Sequence, residues 1–231
     1  MIDRAYDLNR YQKSIFSESK NNISLRTETL AFDDVLLVPQ YSEIESRANV
    51  NLNQNLDLNI KLKIPIISSP MDTVTEAKMS RAMHDLGGLG IIHRYNSISE
   101  QTAMVRDLVM EGVRHPAAAV GVTGDFKERA MELVRSGVNI LCLDVAHGHH
   151  ILMERALKTL KDSYGKSIHL MAGNVATLEG FNDLADWGAD SVRCGIGGGS
   201  ICTTRIQTGH GVPGLATIFE CAKSDRDAKI I

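Results

Sequence analysis

The chain has 231 residues, 43% of them apolar, and a formal net charge of −3 with both signs scattered along its length. This length suits a single domain with one sizeable core, and no basic surface or acidic tail for binding nucleic acid is visible. No apolar run approaches the roughly 18 residues that a membrane span requires. The composition therefore argues against nucleic-acid-binding and membrane proteins, and it predicts a cytoplasmic protein that acts on small molecules.

Beyond residues 1–60, which are predicted to form an N-terminal arm with short strands, the chain alternates short β-branched runs with longer stretches of helical period. This alternation is typical of βα units on a parallel sheet. The predicted strands are 64–68, 89–93, 117–122, 139–144, 167–172 and 191–194, and 228–231 reads as the beginning of a seventh. The predicted helices between them are 75–86, 99–111, 125–136, 150–163 and 177–187.

Two parallel architectures fit this pattern, an open doubly wound sheet and a closed (βα)8 barrel, and periodicity alone does not separate them. Polar residues follow nearly every predicted strand, which is expected where the C-terminal face of a barrel carries the chemistry: Ser68-Ser69, His93-Arg94, Asp144 and Asn174. We therefore expect an α/β fold in which residues 61–231 form a (βα)8 TIM barrel. Because about six βα units and the start of strand 7 are present, the barrel is expected to be C-terminally truncated.

Cysteine and histidine patterns do not predict a metal centre of zinc type. The chain has no Cys-x-x-Cys pair among Cys142, Cys194, Cys202 and Cys221, and a chain of this length needs no disulfides to fold. The run His147-Gly-His-His150 lacks a carboxylate or cysteine at ligand spacing. Reduced thiols are therefore expected, and metal ligation by these histidines is disfavoured.

The segment 195–213, rich in glycine, is too long for a simple βα turn and is the strongest functional signal in the chain. Glycines let the main chain approach a ligand and direct consecutive N–H groups at an anion, so this segment is a candidate phosphate cradle. Within it, Cys202 is either an activated nucleophile or a small buried filler, and local composition leaves both open. The spacing Gly195-x-Gly197-x-x-Ser200 imitates a dinucleotide fingerprint, but it lacks the last glycine and follows the sixth strand, so a Rossmann fold is rejected.

The run Gly-Ile-Gly-Gly-Gly-Ser-Ile-Cys-Thr-Thr-Arg at 195–205 resembles the catalytic cysteine loop of the inosine monophosphate dehydrogenases and guanosine monophosphate reductases. Further segments are similar to motifs of this family and occur in the family's order. They are Phe-Asp-Asp-Val-Leu-Leu-Val-Pro at 32–39, Ser-Ser-Pro-Met-Asp-Thr-Val-Thr-Glu at 68–76, Gly-Gly-Leu-Gly-Ile-Ile-His at 87–93, Leu-Asp-Val-Ala-His-Gly at 143–148 and Ala-Gly-Asn-Val-Ala-Thr at 172–177.

This resemblance implies that Cys202 attacks C2 of a purine nucleoside monophosphate and forms a covalent thioimidate. In the dehydrogenase direction, IMP is oxidised to XMP with NAD; in the reductase direction, GMP is reduced to IMP with NADPH and ammonia leaves. The dehydrogenase is the first reading and the reductase the alternative. The resemblance also implies a homo-tetramer.

Roles carried over from the family fall on ten positions. Cys202 would be the nucleophile and Thr204 would position the water or ammonia, while Asp144 would meet the nicotinamide riboside. Ser69 and Met71 would line the nucleotide pocket, Ser200 would hold the phosphate, and Asn174 and Arg193 would support the loop and the base. The main-chain carbonyls of Gly197, Gly199 and Cys202 would bind potassium. Each has a simpler alternative, for example packing for Met71, a surface charge for Arg193 and a turn cap for Asn174.

Two departures from the family pattern bear directly on function. The family's usual insertion of paired regulatory modules is absent, because 111–116 runs directly into the strand at 117. The segments expected after residue 231 would hold the remaining phosphate-binding glycines, a ribose-binding aspartate and a mobile flap. A third reading is therefore an inactive nucleotide-binding subunit or a split-gene piece that needs a complementing C-terminal fragment.

Overall fold

The computed structural model describes residues 29–231, so the first 28 residues of the predicted N-terminal arm lie outside it. Within the described residues, a short antiparallel hairpin of β1 and β2 precedes a seven-stranded sheet. The strands are β1 Gln54–Asn55, β2 Lys61–Leu62, β3 Ile67–Ser68, β4 Leu89–Ile92, β5 Ala117–Val120, β6 Ile140–Asp144, β7 His169–Val175, β8 Ser191–Cys194 and β9 Lys229–Ile230. The helices are α1 Ala77–Asp85, α2 Ile98–Met110, α3 Phe126–Arg135, α4 Ile151–Tyr164, α5 Leu178–Asp186, α6 Thr203–Thr208 and α7 Gly214–Cys221.

Helix boundaries follow local capping chemistry. Ser97 and Glu100 form a reciprocal capping box at the start of α2, and the Thr177 hydroxyl accepts the N–H of Gly180 at the start of α5. Gly137 and Gly188, with φ of 104° and 110°, follow α3 and α5 and reverse the chain toward the next strand. The helix predictions consequently hold to within one or two residues at each end.

The strand order decides between the two architectures left open by the sequence. All seven strands from β3 to β9 are parallel, and each pairs with its neighbour in the chain. A doubly wound sheet would reverse its strand order at a switch point. The single direction of winding is that of a (βα)8 barrel, so the barrel prediction is confirmed, as a curled, open sheet.

Two apolar layers hold this sheet. One lies between the sheet and the helices and includes fully buried Leu133, Leu157 and Phe181. The other fills the inside of the curve, where Ile91, Ile140 and Met171 meet. The hairpin of β1 and β2 covers one end of this interior with the buried side chains of Leu56, Ile60 and Leu62.

The edges β3 and β9 face each other across a cavity of about 500 Å³ lined by Pro65, Ile67, Ile230 and Ile231 among others. β3 is shorter than the predicted strand 64–68 because Pro65 has no N–H to place in a ladder. Within residues 29–231, no helix is long and apolar enough to cross a bilayer.

Candidate active site

The glycine-rich segment leaves the sheet at the C-terminal end of β8 and contains a short helix that the sequence did not predict, α6. Cys202 is the N-cap residue of α6, and its N–H donates to the Gly199 carbonyl at 3.1 Å. Gly197 has φ of 70°, and a Cβ there would lie 2.6 Å from the His210 carbonyl oxygen. Only glycine therefore allows the segment to fold back on residues 210–212, where Val212 N–H donates to the Ile196 carbonyl.

Cys202 sits in a field that favours its thiolate. The main-chain N–H of Arg205 lowers the thiol pKa most; partial burial opposes this, and the N–H and hydroxyl of Thr204 and the Arg205 charge lower the pKa further. These donors lie in the first turn of a helix, where free N–H groups point toward an anion. The side chain remains partly exposed. The geometry is that of an accessible, activated thiol.

The other three thiols are less suited to nucleophilic attack. Burial raises the pKa of Cys142 to about 12, and the hydrogen bond between Cys194 and Cys221 raises the pKa of Cys194. The same bond lowers the pKa of Cys221, but that side chain is fully buried. Cys202 thus combines a lowered pKa with access to solvent.

Asp144 and Arg193 form an ion pair across the barrel interior. Asp144 ends β6 and Arg193 lies in β8, and Gly173 of the intervening β7 is in register with both. A Cβ on Gly173 would lie 2.7 Å from the Arg193 Cβ, so this glycine lets the arginine reach over β7. The two side chains are only 19% and 15% exposed, so the charges are largely desolvated.

Four predicted residues lie near the start of the segment and the sheet beneath it. Ser69, Asn174 and Arg193 line one cavity of about 240 Å³ that also contacts Ile67, Ile91, Cys194 and Ile231. The Asn174 amide donates to the Gly195 carbonyl at 2.9 Å and so fixes the start of the segment. Met71 is 58% exposed on the neighbouring loop after β3.

The remaining predicted residues lie on the exposed part of the segment. Ser200 is exposed, and its carbonyl accepts from the Arg205 guanidinium at 2.9 Å. Thr204 lies in α6 next to the thiol whose pKa it lowers. Neither of them, nor Cys202, lines the 240 Å³ cavity. The structure therefore divides the predicted site into a cavity group and a segment group.

The sequence assigned no role to His93. In the structure it lies in a polar cluster directly after the C-terminal end of β4. His93 is 2% exposed; its Nδ1 accepts from the Tyr95 N–H at 3.1 Å, and its Nε2 lies 3.5 Å from the Glu76 carboxylate. Its carbonyl accepts from buried Gln101 at 3.0 Å. Two sequence signals marked this position, the motif 87–93 and the location of His93-Arg94 at the end of a predicted strand.

A monovalent cation at the carbonyls of Gly197, Gly199 and Cys202 would find oxygen donors of suitable chemistry. The Gly199 carbonyl already accepts the Cys202 N–H, and the Cys202 carbonyl accepts the Ile206 N–H at 3.3 Å. Each carbonyl oxygen keeps a second lone pair, so the donor set fits such an ion. In the described part of the chain, no group of three or more His, Cys, Asp or Glu side chains could hold a metal.

Comparison with known proteins identifies relatives over nearly all of the described chain. The IMP dehydrogenase / GMP reductase domain matches residues 29–231. Inosine-5'-monophosphate dehydrogenase of Nitrosopumilus maritimus (strain SCM1) is 30% identical over 323 residues, covering 87% of this chain and 68% of the relative. The Cryptosporidium parvum enzyme of the same name is 38% identical over 235 residues, covering 84% of this chain and 58% of the relative.

Among solved structures, GMP reductase from Trypanosoma brucei, in complex with guanosine 5'-triphosphate, superposes with a TM-score of 0.78 at 27% sequence identity. The match covers 83% of this chain and 77% of that one. The chain thus spans between 58% and 68% of the length of the two dehydrogenases.

Proposed function

Because the chain belongs to the IMP dehydrogenase / GMP reductase family, we propose that it carries the covalent chemistry of a purine nucleoside monophosphate oxidoreductase, acting on IMP with NAD to give XMP. The observation that carries this proposal is Cys202: an accessible thiol of lowered pKa at the N-terminus of α6, inside a glycine-rich segment. A helix N-terminus stabilises the thiolate that must attack.

In the proposed reaction, the Cys202 thiolate attacks C2 of the purine and forms an S–C2 bond. The C2–H bond then breaks with its electron pair leaving as hydride, and a thioimidate remains on Cys202. Water adds to C2, the S–C2 bond breaks, and XMP leaves with the thiol restored. Thr204, whose N–H and hydroxyl lower the pKa of the thiol, would orient that water.

The two groups of site residues suit the two ends of a nucleotide. The exposed segment, with Ser200 and the glycine N–H groups, would hold the phosphate. The cavity lined by Ser69, Asn174 and Arg193 would receive polar atoms of the sugar or base, with Met71 beside it. The Asn174 side chain also hydrogen-bonds the start of the glycine-rich segment, so it would fix the thiol relative to the nucleotide pocket.

NAD, when bound, supplies the acceptor for the hydride that leaves C2. Asp144 would hold its nicotinamide riboside, since an ionised carboxylate paired with one arginine keeps further acceptor sites for hydroxyl groups. The carbonyls of Gly197, Gly199 and Cys202 would hold potassium and stiffen the segment around the thiol. Cytoplasmic location and assembly into homo-tetramers belong to the same proposal.

The second candidate is GMP reductase, in which GMP is converted to IMP with NADPH and ammonia leaves. This candidate is supported by the GMP reductase from Trypanosoma brucei, whose structure superposes on 83% of this chain. The reductase-like runs Cys-Leu-Asp-Val-Ala at 142–146 and Met-Ala-Gly-Asn-Val at 171–175 point the same way.

A third candidate is a subunit that acts only with a complementing polypeptide. It is supported by the open sheet, whose edges β3 and β9 both border an apolar cavity of about 500 Å³. An added parallel strand between them would cover Ile67 and Ile231.

A turnover assay with two substrate pairs separates these candidates. The purified chain is incubated with IMP plus NAD or with GMP plus NADPH, and nicotinamide absorbance is followed at several potassium concentrations. Cys202→Ser serves as the matched control. Turnover with IMP and NAD that Cys202→Ser lacks supports the dehydrogenase, and turnover with the other pair supports the reductase. Activity that persists in Cys202→Ser contradicts the proposal, and activity only after adding a C-terminal fragment of a relative supports the third candidate.

A further inference from the structure

A further cavity, of about 260 Å³, lies at the opposite end of the sheet from Cys202. Its lining comes from β2, the end of α1, the start of β4 and the connection between α2 and β5, residues 111–116. Five of the lining side chains are cationic or can become so: Lys61, Lys63, His84, Arg114 and His115. Cys202 lies beyond the C-terminal end of β8, so this cavity is separate from the candidate active site.

The lysine and arginine side chains of this cavity are not paired with carboxylates of the described chain. Among residues 29–231, Lys61, Lys63, His84 and Arg114 have no ion pair with an acidic side chain. Asp85 also lines the cavity, but its carboxylate is engaged by Arg81 through both oxygens, at 2.9 and 3.0 Å. Like charges this close repel one another, weakly where water screens them, and an anion bound among them would relieve that repulsion.

His115 gives an independent sign that a partner is missing. Its Nδ1 is buried and has no hydrogen-bond partner among the described residues. Burial lowers the pKa of His115, and although Asp57 opposes this, the charges of His84 and Arg114 lower it further. Because a buried ring nitrogen without a partner is destabilising, His115 gains free energy if its ring turns so that Nδ1 meets a hydrogen-bonding group.

The cations are not needed to cap the helices that end here. The last carbonyls of α1 accept from the main chain: Ala82 from Leu86 N–H, Met83 from Gly88 N–H and His84 from Gly87 N–H. At the end of α2, Leu108 accepts from Val113 N–H in the same way. The side chains of Lys63 and Arg114 are therefore available to a ligand.

We propose that this cavity, lined by Lys61, Lys63, His84, Arg114 and His115, binds the phosphoryl group of a small phosphate monoester or inorganic phosphate. A phosphoryl group offers several acceptor oxygens to lysine, guanidinium and imidazole donors. The cavity is slightly smaller than those that take drug-sized ligands, which suits a phosphoryl group with a small substituent. This site is additional to the phosphate contact proposed for Ser200.

The test is a titration of the whole chain, labelled with nitrogen-15 in its histidines, with inorganic phosphate or ribose 5-phosphate at constant ionic strength. Chloride at matched ionic strength is the blank, and His84→Gln and His115→Gln assign the two ring signals. The proposal predicts saturable shifts of the His84 and His115 signals. The signal of His210, in the glycine-rich segment, should shift with a different dependence on ligand concentration. Saturation by both compounds identifies the phosphoryl group as the ligand, and saturation by the monoester alone shows that its substituent is recognised too.

The double variant Lys63→Met and Arg114→Gln should weaken this binding about tenfold or more. Methionine keeps the aliphatic stem that packs over Gly87, and both side chains are exposed, so folding is retained. Lys78→Met with Arg155→Gln removes the same charge from exposed helix positions and should leave the affinity unchanged, as should Ser200→Ala. Equal weakening by both double variants, or a linear response like that to chloride, shows non-specific screening and overturns the proposal.

Discussion

At the scale of single residues, the lowered pKa of Cys202 leads to a measurable difference in thiol reactivity. Hydrogen bonds from Arg205 and Thr204 stabilise the thiolate, so the proton leaves at lower pH than from an ordinary thiol, whose pKa is about 8.5. Alkylation of Cys202 by iodoacetamide, followed by peptide mass spectrometry against pH, should therefore have a midpoint below that value. Arg205→Met keeps the main-chain N–H and removes only the charge, so it should move the midpoint upward by a small amount. Cys142, with its raised pKa, should stay unmodified in the folded chain. An ordinary midpoint for Cys202 would contradict this assignment.

The Asp144–Arg193 pair leads to a prediction about stability. Asp144→Asn would leave a guanidinium that is 15% exposed without a charged partner, and breaking such a buried pair costs about 3–5 kcal/mol. Asp186→Asn is the matched control, because the Asp186–Arg226 pair is exposed and such pairs contribute about 0–1 kcal/mol. Urea unfolding measures both changes. Equal losses would mean that desolvation does not distinguish the two pairs.

At the scale of secondary-structure elements, two consecutive hydrogen bonds join the hairpin β1–β2 to the sheet. They link Asp57 to His169 and His169 to Ser191. His169 Nδ1 lies 2.7 Å from the Asp57 carboxylate, and its Nε2 lies 2.8 Å from the Ser191 hydroxyl. These distances match those of a serine hydrolase triad, but Ser191 is fully buried and no substrate could reach it. The three residues therefore connect the hairpin to β7 and β8 and have no nucleophilic role.

This connection should weaken in acid. Burial alone would raise the pKa of Asp57, but hydrogen bonds from the Asn59 N–H, His169 and the Ile60 N–H outweigh it and lower the pKa. A lowered folded-state pKa adds stability above the unfolded value, near 3.9, and that stability is lost as pH falls through the folded value. Thermal melts below about pH 4 should fall less steeply for Asp57→Asn than for the unchanged chain. Parallel slopes would show that Asp57 does not couple folding to pH.

The elements that the sequence predicted well are those governed by local chemistry. β8 matches its prediction of 191–194, and α2 begins and ends within one residue of its prediction. Both depend on the periodic spacing of apolar residues, and α2 also on the Ser97 N-cap, which are visible in the local sequence. Helix α6 was missed because its threonines and flanking glycines disfavour a helix. The Asp144–Arg193 pair was also missed, since it depends on Gly173 lying in register between two strands. Such a contact has no signal in spacing along the chain.

At the scale of the whole molecule, the edge strands β3 and β9, which pair with no further strand among residues 29–231, should let the chain associate. Lys229 and Ile231 N–H groups donate to β8, so alternation along β9 directs the Ile230 N–H to the open side. Unpaired edge groups recruit further strands. Sedimentation velocity should therefore show association that grows with concentration and is reduced by Ile230→Pro, which removes only the outward N–H. Lys229→Pro instead removes the bond to Asp190 and should lower the melting temperature. A monomer at every concentration would show that the edges are protected.

The covalent bond proposed between Cys202 and a purine nucleotide is tested most directly by mass spectrometry of the intact chain and its peptides after incubation with IMP and NAD. Acid quenching during turnover should trap a mass increase on the peptide containing Cys202, absent in Cys202→Ser and when IMP is omitted. GMP with NADPH should give the same adduct if the chain is the reductase. An unmodified Cys202 under both conditions, in a chain that turns over either pair, would contradict covalent catalysis by this thiol.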